Sequence, residues 1–232
     1  MSSLFGRLIT PMLIAVIPVK EFSQGKTRLA TLLSTEERYL LCKTMLEDVL
    51  AVVAASPLFD RVLVITSDTE AAAFAQQYGA DVISEVQQVR QSRSVEAAAA
   101  CCREIGVEAM LTVPLDVPRI TANDLNRIVE QGPVPRGIVL VPSRDAFGTN
   151  ALLARPPDAI PFRFGYDSFR AHRDEAEAKG LPCEICELPN LALDIDEIED
   201  LRCFLAQPGR TRTDALLHRL GIGGRVGVGT GA

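Results

Sequence analysis

Met12-Leu13-Ile14-Ala15-Val16-Ile17-Pro18-Val19 is an unbroken apolar run of strand length, and a polar loop, Lys20 to Thr27, follows it directly. A strand that is apolar throughout is one buried in a helix-covered sheet, as parallel strands are. The segments beyond it repeat the theme. Ser34 and Glu37 have capping-box spacing. Behind them Tyr39, Cys42, Leu46, Val49, Leu50 and Val53 recur at threes and fours, which predicts a long amphipathic helix. Arg61 to Thr66 (RVLVIT) is a second strand ending in Ser67 and Asp68; an Ala-rich helix then runs to Tyr78 and stops at Gly79. Ala80 to Ser84 is a short third strand. A helix over Ser94 to Ile105, stopped by Gly106, leads to a strand over Ala109 to Val113 and then to Pro114-Leu115-Asp116-Val117-Pro118.

Thr121, with Asp124 three residues on, caps the next helix. Gly137 to Val141 is a strand, Pro142 to Thr149 a loop, and Asn150 to Ala154 a shorter strand. A polar helix spans Asp167 to Lys179. Strands over Cys183 to Leu188 and Leu191 to Asp194 precede a last helix over Ile198 to Ala206. Strands and helices thus alternate through the first two thirds, the pattern of a mostly parallel, doubly wound α/β sheet. The region after Gly137 reads as a small added α+β portion that completes one side of a cleft. A single domain over 12–206 is expected. The tail, 207–232, is Arg- and Gly-rich, with six glycines between Gly221 and Gly231, and is expected to be mobile and outside the fold.

Composition narrows the function. Of 232 residues 47% are hydrophobic and only 5% aromatic, which suits a buried sheet under small-residue helices. No apolar run approaches the ~20 residues of a membrane helix, and Met1 to Pro11 lacks the long apolar core of a signal peptide, so a cytoplasmic chain is expected. The net charge of −6 argues against a general nucleic-acid binder. Cys183 and Cys186 form a C-x-x-C, open to a zinc or redox reading. No second such pair exists, the only histidines are His172 and His218, and strand residues three apart face opposite sides. Six ordinary thiols in a reducing compartment is the expectation.

Ligands of open α/β sheets bind beyond the carboxyl ends of the strands. There the sequence places Lys20, Lys26 and Arg28 after the first strand, Asp116 after the middle one, and Asp194 and Asp196 after the last. Cations at one strand end and carboxylates at others suit a magnesium–triphosphate complex. The plainer alternatives are solvated loop cations and, for Asp196, an N-cap with Glu199 three residues on. Asp116, between two prolines at the end of an apolar strand, is the hardest to read as idle, because a charge there needs solvent or a partner. Gly25-Lys26-Thr27 has the ending of a P-loop, but Lys20 stands where its first glycine belongs, so a loop of long cationic side chains describes it better. Phe162-Arg163-Phe164-Gly165-Tyr166-Asp167-Ser168-Phe169 combines a glycine with a helix opening whose free N–H groups would suit an anion; a routine turn and cap is the alternative.

Taken together and in order, IPVKEFSQGKTRLA, VPLDVPRIT, VPSRDAFGTNAL, FGYDSF and LALDIDEIEDL resemble the 2-phospho-L-lactate guanylyltransferase family over residues 12 to 206. The resemblance implies a nucleotide-diphospho-sugar-transferase-like fold. It also implies transfer of GMP from GTP to a three-carbon phospho-acid, with release of pyrophosphate, in coenzyme F-420 biosynthesis. The acceptor varies among such enzymes: 2-phospho-L-lactate, phosphoenolpyruvate or 3-phospho-D-glycerate. By motif, Asp116, Asp194 and Asp196 correspond to carboxylates holding Mg2+, Thr149, Gly165 and Ser168 to the acceptor site, and Lys20, Lys26 and Arg28 to triphosphate contacts. The base would lie near residues 86–94. Ala146-Phe147-Gly148-Thr149 stands where relatives often have Gly-Thr-Gly-Thr, and Tyr166 where proline is common, so the acceptor pocket is individual. The partners implied are small molecules, with neither nucleic acid nor membrane, and a homodimer stays open. The competing readings are another nucleotidyltransferase of this fold, of sugar-phosphate or molybdopterin type, a glycosyltransferase, or a non-catalytic nucleotide-binding module.

Overall fold

The structure, a computed structural model, describes residues 12–84 and 91–228. The opening apolar run is strand β1 (Leu13–Val19), and the capping box of Ser34 and Glu37 starts helix α1 (Thr35–Val53) as its spacing requires. There follow β2 (Arg61–Thr66), α2 (Thr69–Gln77), β3 (Asp81–Ser84), α3 (Gln91–Glu104), β4 (Ala109–Thr112) and α4 (Ala122–Glu130). The second part holds β5 (Gly137–Pro142), β6 (Thr149–Arg155), α5 (Ser168–Ala178), β7 (Cys183–Ile185), α6 (Pro189–Ala192), α7 (Ile198–Leu205), α8 (Arg212–Arg219) and α9 (Ile222–Val226).

The seven strands form one sheet in the order β3-β2-β1-β4-β6-β5-β7. All pairings are parallel except those of β6, which runs against both β4 and β5. Strand β1 shows why its sequence lacks alternation. Ala15, Ile17 and Val19 pack on one face under α1, while Ile14 and Val16 pack on the other under α3, all of them buried. The order reverses between β1 and β4, so the loops leaving these two strands diverge and open a crevice at their carboxyl ends. The reversed β6 brings its first residue, Thr149, to that same end.

Two expectations are corrected. The segment Leu191 to Asp194 is not a strand: Pro189 opens the short α6, and the carbonyls of Leu191 and Ala192 accept from Asn150 Nδ2 at 2.7 and 3.3 Å. Arg144 N–H also donates to the Ala192 carbonyl, at 2.7 Å, so a ladder has nothing left to use there. The stretch after Gln207 is not outside the fold. Helices α8 and α9 bury Leu216, Leu217, Ile222 and Val226 in a third apolar cluster with Leu41 and Met45 of α1, Leu201 and Phe204 of α7, Leu29 and Ile195. The glycines of this stretch mask a short periodic apolar face: Gly221 and Gly227, at positive φ, bracket α9 as turns. Asp48 of α1 accepts from the N–H groups of Arg212 and Thr213 at 2.9 and 2.8 Å, tying down the start of α8. Cys183 and Cys186 pack into clusters on opposite faces of the sheet, and both are free thiols.

Candidate active site

The crevice beyond β1 and β4 gathers the charged residues that the sequence places at strand ends. Asp116 follows β4 and is held by its backbone, whose carbonyl accepts from Ile195 N–H at 3.1 Å. That bond draws the chain after α6 across the crevice mouth. Ile195 is fully buried in the third cluster, so its neighbours Asp194 and Asp196 project the other way, into the crevice, although no strand supplies the alternation. Oxygens of Asp116, Asp194 and Asp196 lie within 4.8 Å of one another. Asp196 is not the cap of α7; Glu197 holds that position, and its N–H donates to Asp200 Oδ2 at 2.8 Å.

Lys26 is the cation nearest this triad. Its Nζ donates to Asp116 Oδ2 and to Asp196 Oδ1, each at 2.6 Å, and its side chain is 6% exposed. Burial alone would favour the neutral amine, but the two carboxylates outweigh it and hold the ammonium above its usual range. Burial would likewise raise Asp196, yet Lys26 brings its carboxyl below the ordinary value. Among the described residues no cation pairs with Asp194. Burial first, and the charge of Asp116 second, push its pKa up to about 6, against the hydrogen bond from Asn150 Nδ2 at 3.0 Å. Lys26 itself has left-handed backbone (φ 52), an uncommon state for a residue with a side chain. The preceding Gly25 packs so close to α1 that a Cβ there would collide with Cys42 Sγ. The loop is thus two short 3-10 turns pressed on α1, and not a phosphate-wrapping P-loop.

Lys20 and Arg28 stand on the same wall. Lys20 is exposed, and Arg28 reaches over the crevice to Glu197 Oε1 at 2.9 Å. These cations line a compartment of about 300 Å³ with Gln24, Gly25 and Thr27. A second, of about 630 Å³, continues past Asp116 and Asp196 to Thr149, Gly165 and Ser168. Lys20, Arg28, Gln91, Pro114, Asp116 and Asp196 border both, so the two are halves of one cleft that meet at the triad. Residues 85–90, most of the stretch expected near the base, lie outside the described residues.

In the second half, Thr149 Oγ1 is 3.3 Å from Ser168 Oγ, and both residues are buried at the cleft floor. The expectation of free N–H groups at the opening of α5 is corrected in part. Ser168 N–H donates to the Gly165 carbonyl at 3.2 Å and Phe169 N–H to the Phe147 carbonyl at 3.0 Å, so these two amides are taken, and the Thr149 and Ser168 hydroxyls stand beside them on that wall. Phe147 and Tyr166, the two residues that set this sequence apart from the family pattern, are exposed and stack with ring centroids 6.0 Å apart, Tyr166 bordering the cleft. Sequence reasoning missed Asn150, which ties Asp194 to α6, and His172, which lies behind Thr149. Asn150 sits beside a chosen residue in the quoted GTNAL, but nothing local says that its amide reaches across to residues 191–194.

The family profile described as "Guanylyl transferase CofC like" matches residues 13–229. The chain belongs to this guanylyltransferase family. It is 37% identical to the phosphoenolpyruvate guanylyltransferase of Conexibacter woesei over 89% of this chain and 95% of that one. With the 3-phospho-D-glycerate guanylyltransferase of Colwellia psychrerythraea the identity is 35%, over 80% and 88% of the two chains. With the 2-phospho-L-lactate guanylyltransferase of Methanothermobacter thermautotrophicus it is 34%, over 89% and 90%. Among solved structures, one assigned to the nucleotide-diphospho-sugar transferases, from Desulfovibrio desulfuricans, superposes with a TM-score of 0.71, covering 94% of this chain and 97% of that one at 15% identity. The match past residue 206 agrees with the packing of α8 and α9: the family profile runs on through both helices to residue 229.

Proposed function

We propose that this guanylyltransferase transfers GMP from GTP to the phosphate of a three-carbon phospho-acid, releasing pyrophosphate, as a step of coenzyme F-420 biosynthesis in the cytoplasm. The observation that carries the reading is the divided cleft. A cationic half and a hydroxyl-floored half meet at three carboxylates, which is the arrangement needed to bring a triphosphate and a second anion together over a metal. In this reading Lys20, Lys26 and Arg28 bind the β- and γ-phosphates, and Thr149, Gly165 and Ser168 receive the phospho-acid. Asp116, Asp194 and Asp196 fit Mg2+, since the site offers hard oxygen donors and carries more negative charge than Lys26 balances. When bound, that ion would neutralise charge on the reacting phosphates.

The nucleophile is an acceptor phosphate oxygen, already ionised at neutral pH. It forms a bond to the α-phosphorus of GTP as the bond from that phosphorus to the β-bridging oxygen breaks, and pyrophosphate carries away the electron pair. No general base is needed, which fits a cleft without an exposed histidine. The protein's part is to hold two anions in line and offset their repulsion. Of the three acceptors, phosphoenolpyruvate is the one named for relatives at 36–39% identity. The stacked Phe147 and Tyr166 would shape this half of the cleft. Incubation with each nucleoside triphosphate, Mg2+ and each of the three phospho-acids, assayed for pyrophosphate, tests the reading. Release with GTP and one phospho-acid is expected; release that ignores the phospho-acid would sink it. Thr149→Ala and Ser168→Ala should raise the acceptor KM or lower kcat while leaving the KM for GTP nearly unchanged. Each lost bond to a charged group costs about 1.5–3 kcal/mol.

A further inference from the structure

His172 closes a buried polar network behind the second half of the cleft. The residue is fully buried on α5, with the ring of Phe164 edge-on at 5.0 Å. Both ring nitrogens are engaged. Nε2 accepts from the backbone N–H of Arg163 at 2.8 Å, and Nδ1 lies 3.0 Å from Thr149 Oγ1. A backbone N–H can only donate, so Nε2 is the bare nitrogen. Burial, and then the charge of Arg163, bring the imidazole pKa down to about 4, so at neutral pH the ring is uncharged and its one proton is on Nδ1. That proton is donated to Thr149 Oγ1.

Counting protons gives the consequence. Thr149 and Ser168 have two hydroxyl protons between them, and one of these spans the 3.3 Å between their oxygens. Because His172 donates to Thr149, the second is not needed inside the network and is free to point into the cleft. With the opposite tautomer, Thr149 would donate to Nδ1 and Ser168 to Thr149. Both protons would then be used, and an incoming anion would meet only lone pairs. The nearby amides of Ser168 and Phe169 are already taken by carbonyls, so the difference is between one donor and none from these groups.

We infer that His172 is a positioning residue for the acceptor, holding the Thr149–Ser168 pair in the arrangement that turns one O–H toward an anionic oxygen of the phospho-acid. The inference rests on the reading that this pocket takes the acceptor. Arg163 N–H sets the tautomer, the tautomer sets the hydroxyl directions, and these set whether the floor attracts or repels a carboxylate or phosphate.

Two substitutions separate this role from packing. His172→Gln reaches the Arg163 N–H with its carbonyl but has no donor at Thr149, whereas His172→Asn places an amide N–H close to where Nδ1–H was. With the one of phosphoenolpyruvate, 2-phospho-L-lactate and 3-phospho-D-glycerate that supports pyrophosphate release, His172→Gln should lower kcat/KM for that acceptor about tenfold or more, the scale of one bond to a charged group. The KM for GTP should stay within about twofold, and His172→Asn should regain most of the loss. Equal damage from both variants, or parallel loss for GTP and acceptor, overturns the inference and leaves His172 a packing residue. If Thr149→Val and Ser168→Ala alter GTP kinetics instead of acceptor kinetics, the pocket reading itself falls. If they alter acceptor kinetics and His172→Gln does not, only the role of His172 falls. Long-range proton–nitrogen NMR on the wild-type imidazoles, with His218→Gln to assign them, needs no folded variant at position 172. A protonated Nδ1 and bare Nε2 at neutral pH are expected; a protonated Nε2 overturns the inference.

Discussion

Lys26 lies between two carboxylates that would otherwise repel across the crevice, and Asp194 beside them has no such partner among the described residues. Two outcomes follow at this scale. Asp116→Asn should cut turnover by about a hundredfold or more, the scale of losing one preorganised electrostatic group. It should keep its fold, because the contact that seats residue 116 is its carbonyl, accepting from Ile195; kinetics beside a thermal melt check both. The second concerns pH. The Asp194 carboxyl titrates at about 6 in the folded chain against an ordinary 3.8, so the folded state holds this proton more tightly than the unfolded state. Its contribution to stability is fully present below about 3.8 and is lost as pH rises through about 6. Asp194→Asn removes that dependence while keeping an oxygen for the Asn150 amide. In chelator, the variant's melting temperature should gain on the wild type by roughly 2–6 °C between pH 4 and pH 7. A gap that stays constant across that window would falsify the account of Asp194 as a strained buried acid.

At the scale of elements, the reversal of β6 and the coil of α6 do what no single residue announces. Because β6 runs against β4, its first turn of chain, and not its last, meets the carboxyl ends of the other strands. Thr149 and Asn150 arrive there together. The Asn150 amide then grips the carbonyls of Leu191 and Ala192 and the carboxylate of Asp194. Asn150→Ala should destabilise the chain by about 1–3 kcal/mol through the lost bonds to buried groups. It should also lower turnover by loosening the segment that presents Asp194 and Asp196. Urea unfolding and kcat measured on the same preparation check this, and unaltered stability would refute the clamp. The helix starts were legible because a capping box is a local pattern: Ser34 with Glu37 and Thr121 with Asp124 behave as their spacing requires. The segment at 191–194 was misread because its apolar residues suit a strand by local propensity, whereas its carbonyls are claimed from 41 residues away.

Across the whole molecule, three apolar clusters divide the work. Two lie on the faces of the sheet, and the third joins α1, α7, α8 and α9 to Leu29 and Ile195. Leu29 follows the cationic loop, and Ile195 separates Asp194 from Asp196, so the C-terminal helices form part of the floor under both charged walls. Polar ties reinforce this. Arg119, three residues past Asp116, pairs with Asp214 at 2.8 Å and stacks on Phe204 at 3.9 Å, and Arg225 pairs with Glu37 at 2.6 Å. Truncation after Gln207 should therefore give an insoluble or strongly destabilised protein. The milder Leu217→Ala, at a fully buried site, should cost about 2–5 kcal/mol in urea unfolding. A truncated chain that melts like the full one would show that the third cluster is dispensable.

The sequence alone dictated the parallel core, the caps of α1 and α4 and the strand ends that carry Lys20 and Asp116, and it singled out Asp116, Asp194 and Asp196, whose oxygens the fold brings within 4.8 Å of one another. Each is written in periodicity or in a short motif that acts over a few residues, and the five motifs together carry the family. Only the tertiary structure decided that Lys26, and not the exposed Arg28, is the cation seated between the carboxylates. The same holds for the seating of the Gly-rich tail as helices in a core, and for the settling of the Thr149 and Ser168 hydroxyls by a buried imidazole. These outcomes depend on which distant groups meet after burial has removed water. The free energy of an unpaired charge, a lone carbonyl or a small apolar face is set by the partner the fold supplies, and a neighbourhood in sequence does not contain that partner.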